Sequence, residues 1–207
     1  MSEENRKENE ILESYRLRNQ HRKDEPSFLA EIWDFIKSIT ISIIIVFLLT
    51  TFIVKPIRVD GSSMYPTLKD KQIGFSNIIS LKVGGANRFD VVIVYVPQQD
   101  EYLVKRVIGL PGETVSYQKD QLYINGFPME ESFFDQDYIA EVKSKIKGNF
   151  TTDFTDFVLA EDEYFLMGDN RPFSSDSRRF GPFKLKHLIS KDAYIIFPLD
   201  QIHFIIQ

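Results

Sequence analysis

Apolar residues fall in two textures along the 207-residue chain. Residues 1–26 mix charges of both signs, and "ENEILESYRLRNQ" is permissive only of a short solvated helix or of disorder. Between Ser38 and Val54 there is no charged residue, and Ile, Val, Leu and Phe fill most places. With Phe35 and Ile36 included and Lys37 snorkelling, the run reaches the roughly 20 residues that cross about 30 Å of hydrocarbon. A transmembrane helix is predicted over residues 35–54. A cleaved leader is the competing reading, but the charged stretch ahead of this run is long and the run itself exceeds the usual 7–15 residues of a leader core.

After Val54 the pattern changes to short β-rich runs: "FDVVIVYVP", "EYLVKRVIGL", "ETVSYQKDQLYING", "YFLMGD", "DAYIIFPL" and "HFIIQ". Gly84-Gly85, Pro111-Gly112, Asn125-Gly126, Gly168-Asp169-Asn170 and Gly181-Pro182 punctuate them as turns. "QLYINGFPM" reads as a hairpin turning at Asn125-Gly126. The expectation is a mainly β protein: a cytoplasmic segment over 1–34, the single N-terminal helix, and a β-sheet domain over 55–207. A smaller lobe is inserted at about 116–158, with least signal around "EVKSKIKGNFTTD". In "EYLVKRVIGLPGE", period-2 alternation places Leu103, Lys105 and Val107 on one face and Tyr102, Val104, Arg106 and Ile108 on the other.

Composition narrows the chemistry. A net charge of −5 and a pI near 5.3 argue against a nucleic-acid module, which needs clustered Lys and Arg. With no cysteine there is no disulfide framework, thiolate metal site or Cys nucleophile. His21, His187 and His203 lack metal-ligand spacing. Any hydrolytic chemistry must therefore proceed without His, thiol or zinc, and no metal or cofactor is expected.

Three stretches carry candidate chemistry. "VDGSSMYPTLKD", residues 59–70, puts Gly61, Ser62, Ser63 and Pro66 within six positions. Alone it is an ordinary surface turn, since Gly supplies positive φ, Pro fixes φ and Ser bonds nearby backbone. Lys105 sits between apolar neighbours; either its stem covers apolar surface while the ammonium reaches water, or burial depresses its pKa and makes it a general base. A Ser-Lys hydrolase needs neither His nor metal. "GDNRPFSSDSRRFGP", residues 168–182, alone is a charged turn whose surface ion pairs are worth little.

The order "GSSMYPTL", "RFDVVIVYVP", "YLVKRVIGLPGE", "GDNRPFSSDSR" behind one N-terminal anchor resembles type I signal peptidases, most closely those of Gram-positive bacteria. The resemblance covers roughly Val54 to the C-terminus. It implies a Ser-Lys peptidase fold, with Ser63 as nucleophile and Lys105 as base acting through an acyl-enzyme. Ser174 is implied to orient the lysine, and Arg106, Asp169, Asp176 and Arg178 to be supporting ion pairs. Many members carry a serine where this chain has Gly61, so the second oxyanion donor stays open beside the Ser63 N–H. The implied substrates are signal-peptide-bearing preproteins, bound as an added strand and cut after small residues at −3 and −1. Ile57, Val59, Met64, Leu103 and Val104 are assigned to the pockets. The implied location is the cell membrane, single-pass, with the N-terminus cytoplasmic and the catalytic domain outside.

The basic residues flanking the apolar run bias orientation weakly, and a long domain translocates largely regardless of charge. The partners expected are preproteins and the lipid bilayer, with no nucleic acid, and the protein is expected to act as a monomer. Two rivals remain: a self-cleaving repressor of the same Ser-Lys type, opposed by the membrane run and acidic balance, and a non-catalytic single-pass binding protein, which has no need of both Ser63 and Lys105.

Overall fold

The computed structural model describes residues 10–16 and 28–205, so most of the expectation for residues 1–26 lies outside the described residues. The chain divides into two compact units, Met1–Leu48 and Leu49–Gln207. Residues 10–16 are helical. Helix α1 (Phe28–Phe52) runs 25 residues, about 37 Å at 1.5 Å per residue, and none of its side chains is buried within the protein. It is long and apolar enough to cross a membrane. It starts ahead of the charge-free run, where Phe28, Leu29, Ile32 and Trp33 extend the apolar sequence. Thr40 and Ser42 donate to the carbonyls of Ile36 and Ser38, so these hydroxyls are satisfied within the helix.

The second unit is built from two antiparallel sheets. The large sheet contains β1 (Val54–Arg58), β2 (Ile73–Asn77), β3 (Val91–Val96), β4 (Glu101–Gly109), β9 (Glu163–Met167), β10 (Phe183–Lys184), β11 (Leu188–Phe197) and β12 (His203–Ile205). Its order is β1-β2-β11-β3-β4-β9-β10, with β12 on β11. The small sheet, in the order β7-β6-β5-β8, contains β5 (Thr114–Gln118), β6 (Gln121–Ile124), β7 (Phe127–Met129) and β8 (Phe154–Val158). The β6–β7 hairpin turns at Asn125 (φ 52°) and Gly126 (φ 81°), the two positive-φ positions a tight hairpin requires.

Strand β3, "VVIVYV", lies at the centre of the large sheet and is buried on both faces, which is why it reads as a nearly continuous apolar run. One face packs Val92, Val94, Val107, Leu166 and Leu188 together. The other packs Ile57, Ile93 and Ala193 in one cluster and Val59, Met64, Leu68, Val91 and Ile195 in another, with Val104 against both. Helix α2 (Ile78–Gly84) follows β2, capped by the Asn77 side chain. Helix α3 (Gln136–Ile146) occupies part of the stretch with least sequence signal; Asp135 caps its N-terminus and Lys147 closes it in the left-handed conformation. Tyr138, Val142 and Ile146, four apart, share one face of α3.

Two strand edges matter for the site. β9 pairs with β4 only along Arg106–Gly109, so Glu101–Lys105 has β3 on one side and, among the described residues, no strand on the other. Among the described residues β1 pairs only with β2. These open edges lie opposite one another: Val104 packs against the Ile57 cluster, and Lys55 Nζ sits 5.3 Å from the Tyr102 ring centroid.

Candidate active site

β1 runs into the bend that follows Val59. Gly61 has φ +94°, and a Cβ there would meet open space, so glycine is required by backbone conformation and not by crowding. Its N–H donates to Asp70 Oδ1 at 2.7 Å. Tyr65 N–H donates to Ser62 O and Leu68 N–H to Met64 O, closing two short turns. Met64 and Leu68 are buried in the core, which fixes the bend to the sheet while Ser63 stays half-exposed. The Ser63 N–H has no hydrogen-bond partner among the described residues.

Lys105 lies midway along β4, where the strand passes from open edge to paired interior, and is 1% exposed. Its Nζ donates to Ser63 Oγ at 2.7 Å and to Val104 O at 3.0 Å. Burial pulls its amine down from 10.5 to about 8, against the charges of Asp176, Asp169 and Glu101, which hold the proton on. A half-exposed hydroxyl beside an amine that loses its proton near pH 8 is an arrangement in which the neutral amine can accept the hydroxyl proton.

The ends of β9 and the following loop hold this pair from behind. Asn170 N–H donates to Ser63 O and Asn170 Nδ2 to Ser62 O, both at 3.0 Å. A Cβ on Gly168 would overlap both Ser63 O and Ser174 Oγ, so only glycine lets these segments approach. Asp169 receives two hydrogen bonds from Arg106, at 2.8 and 2.7 Å, and a third from Thr67 Oγ1 on the nucleophile bend. Arg106 also donates to Phe89 O and stacks on Phe133. Asp176 caps helix α4 (Ser177–Phe180) and accepts from Arg178 and from Gly168 N–H. Burial works to raise the Asp176 carboxyl, but Arg178 and the Gly168 N–H outweigh it and keep it below the ordinary value. Arg178 in turn donates to Arg171 O.

Ser63, Lys105, Asp169, Arg106, Asp176, Arg178 and Gly61 are thus in one neighbourhood. Ser174 adjoins it through Gly168, but no hydrogen bond joins Ser174 to Lys105; its buried Oγ lies beside the Asp176 carboxyl and helps to keep it low. Among the residues assigned to pockets, Ile57, Val59, Met64 and Val104 meet on one face, whereas Leu103 packs against the Val92 and Val94 cluster on the other. The sequence reading missed Asn170, Gly168 and Thr67 as contacts of the bend, although all three stand inside the quoted stretches. It placed Arg171 only among the local ion pairs of a charged turn, whereas Arg171 is fully buried, donates to Gly168 O at 3.1 Å and pairs with Glu131 and the Tyr117 hydroxyl. Nothing local in the sequence links Arg171 to residues 40 and 54 positions away.

A β domain that seats a serine hydroxyl on a buried amine has the parts of a serine peptidase that works without histidine. The comparisons agree with that class. The family described as signal peptidase, peptidase S26, matches residues 32–197. Signal peptidase I P of Bacillus subtilis subsp. natto is 38% identical over 84% of this chain and 93% of its own length. Signal peptidase IB of Staphylococcus aureus (strain COL) is 34% identical over 83% of this chain and 92% of its own. A crystal structure of a signal peptidase I from Enterococcus faecalis V583 is 40% identical, covering 51% of this chain and 95% of that one with a TM-score of 0.45. The chain belongs to the signal peptidase S26 family, and is a serine peptidase that cleaves signal peptides from preproteins.

Proposed function

We propose that Ser63 is the nucleophile and Lys105 the general base of this peptidase. The observation that carries the reading is the 2.7 Å contact between Lys105 Nζ and Ser63 Oγ, made by an amine whose proton burial has loosened. Lys105 takes the hydroxyl proton as Oγ bonds to the scissile carbonyl carbon, and the carbonyl oxygen becomes an oxyanion facing the free Ser63 N–H. Collapse breaks the C–N bond, and Lys105 returns the proton to the departing amine, which is the new N-terminus of the mature chain. A water then gives a proton to Lys105 as its oxygen bonds to the acyl carbon, and the C–Oγ bond breaks as Lys105 passes that proton to Ser63 Oγ, which releases the signal peptide as a carboxylic acid and restores Ser63. Ser174, without a bond to Lys105 here, acts by packing beside Gly168 and Ser63.

The facing open edges of β1 and β4 suit a substrate added as a strand, with main-chain bonds giving affinity and alternate side chains giving selectivity. Residues −1 and −3 point toward Ile57, Val59, Met64 and Val104; Leu103 lies on the opposite face of the sheet and takes no part in these pockets. These side chains already pack against one another, so the pockets are shallow and reject bulk by overpacking, at about 1–3 kcal/mol. Ala-x-Ala precursors are therefore cut after the second Ala, and residue −2 is nearly free. Helix α1 anchors the enzyme in the membrane with residues 1–34 inside and 55–207 outside. Its length supports the anchoring, and the domain's size supports translocation whatever its charge.

The test uses the full chain in detergent or vesicles with a precursor carrying Ala-x-Ala. Wild type cleaves it and Ser63→Ala does not; persisting cleavage in Ser63→Ala rejects the nucleophile. Phe at −1 slows the reaction strongly and Phe at −2 little, and equal sensitivity at the two positions rejects the added strand.

A further inference from the structure

Beside the Ser63 bend there is a pocket of about 360 Å³, a size typical of small-ligand sites. Ser62 and Tyr65, on either side of Ser63, form one wall together with Asn170 and Phe173. The opposite wall is the face of α3 carrying Tyr138, Val142 and Ile146. None of its lining residues belongs to β1 or β4. The walls are mainly apolar, and the charges at the rim, Glu141 and Lys145, satisfy one another at 2.5 Å.

The pocket is pre-formed. Tyr138 donates its hydroxyl to Asn170 Oδ1 at 2.9 Å and meets the Tyr65 ring edge-on at 5.0 Å. The same Asn170 holds Ser62 O and Ser63 O. One asparagine thus fixes both the wall of the pocket and the backbone of the bend that carries the serine hydroxyl.

We propose that this pocket is a subsite for the mature part of the substrate, taking a large apolar or aromatic side chain from the first two residues after the scissile bond. The proposal rests on the Ser63 reading and on the strand-like substrate described above. A chain that reaches Ser63 between β1 and β4 continues past the bend, and the pocket beside the bend is walled by its Ser62 and Tyr65 and by no residue of either strand. An aliphatic or aromatic side chain exchanges water for apolar walls on entering, whereas a carboxylate is desolvated with its neighbouring charges already paired. Discrimination at this place is set by this chain's α3 and is separate from discrimination at −1 and −3.

The test measures kcat/KM for precursors that keep Ala at −3 and −1 and carry Ala, Phe, Leu or Asp at +1 or at +2. Wild type is expected to favour Phe or Leu over Ala at one of these positions by about tenfold, and to disfavour Asp there by a similar factor. Ile146→Trp, which fills the pocket, is expected to collapse the Phe/Ala ratio to near unity. Phe173→Ala, an exposed wall residue whose loss leaves the core intact, is expected to reduce the ratio without filling anything. A flat series in wild type, or an unchanged ratio in both variants, overturns the subsite. Ser63→Ala, run on the same precursors, separates the two levels: cleavage that persists there rejects the nucleophile, whereas cleavage that needs Ser63 but shows a flat series rejects the subsite alone.

Discussion

Val92 in β3 is flanked in register by two lysines, Lys105 on β4 and Lys191 on β11. Both are nearly excluded from water, at 1% and 7% exposure. Lys191 has a carboxylate, Asp90, at 2.9 Å, and Asp90 is further held by the Asn87 N–H. Lys105 has a serine hydroxyl and a carbonyl oxygen, and forms no ion pair among the described residues. A buried amine beside a carboxylate is a tie between strands, because each charge needs the other. A buried amine beside a hydroxyl gives up its proton readily, and this makes it useful as a base.

The largest expected effect is on turnover. Ser63→Ala and Lys105→Ala should each lower kcat by about a thousandfold or more, and the double variant should be hardly worse, since the two act as one unit. Lys191→Ala should leave the rate per folded molecule within a few-fold of wild type. Single-turnover assays corrected for folded fraction check this, and a collapse in Lys191→Ala would erase the contrast.

The contrast in stability runs the other way. Lys191→Met leaves Asp90 buried and unpaired and should lose about 3–5 kcal/mol. Lys105→Met removes an amine that burial disfavours, and should leave stability at pH 7 unchanged or raise it by up to about 3 kcal/mol. Urea denaturation of the two variants measures both signs, and a large loss in Lys105→Met would mean its charge is balanced in the fold after all.

Next in size is the pH dependence. With Lys105 as the proposed base, which acts in its neutral form, kcat/KM should rise about tenfold per pH unit up to about 8 and level above it. Above about pH 10.5 the amine is neutral in both folded and unfolded chains. Between there and about 8 only the unfolded chain gains the proton, so stability falls as pH falls through that window and the loss is constant below it. The difference in stability between wild type and Lys105→Met should grow over the same interval. A rate flat from about pH 9 to about pH 5 would exclude Lys105 as the base.

The smallest effect tests the origin of the shift. Glu101 is exposed, and its charge helps hold the proton on Lys105, so Glu101→Gln should move the midpoint of the rate profile slightly to lower pH. A move to higher pH would contradict the electrostatic account.

Much of this was legible in the sequence because it is written locally. Alternation in "EYLVKRVIGL" put Lys105 among apolar neighbours, the Asn125-Gly126 pair marked its hairpin, and glycine and proline marked the bend at Ser63. The unread part depends on residues far apart in the chain. The Asn170 clamp on Ser62 and Ser63 spans more than a hundred positions, and the tie between Lys191 and Asp90 spans 101. The α3 face that walls the pocket has its apolar residues four apart, but the intervening Lys and Glu residues dilute the signal until the Asp135 cap is seen in place.

Strand β4 is an interior strand over one half and an edge strand over the other, with Lys105 at the junction. Amide hydrogen exchange should divide it at the same point. Outward-facing amides between Glu101 and Lys105 exchange freely with solvent deuterium, while those from Arg106 to Gly109 are retained by β9. A bound, uncleavable precursor would slow exchange in the first half alone, so the strand itself reports when the cleft is filled.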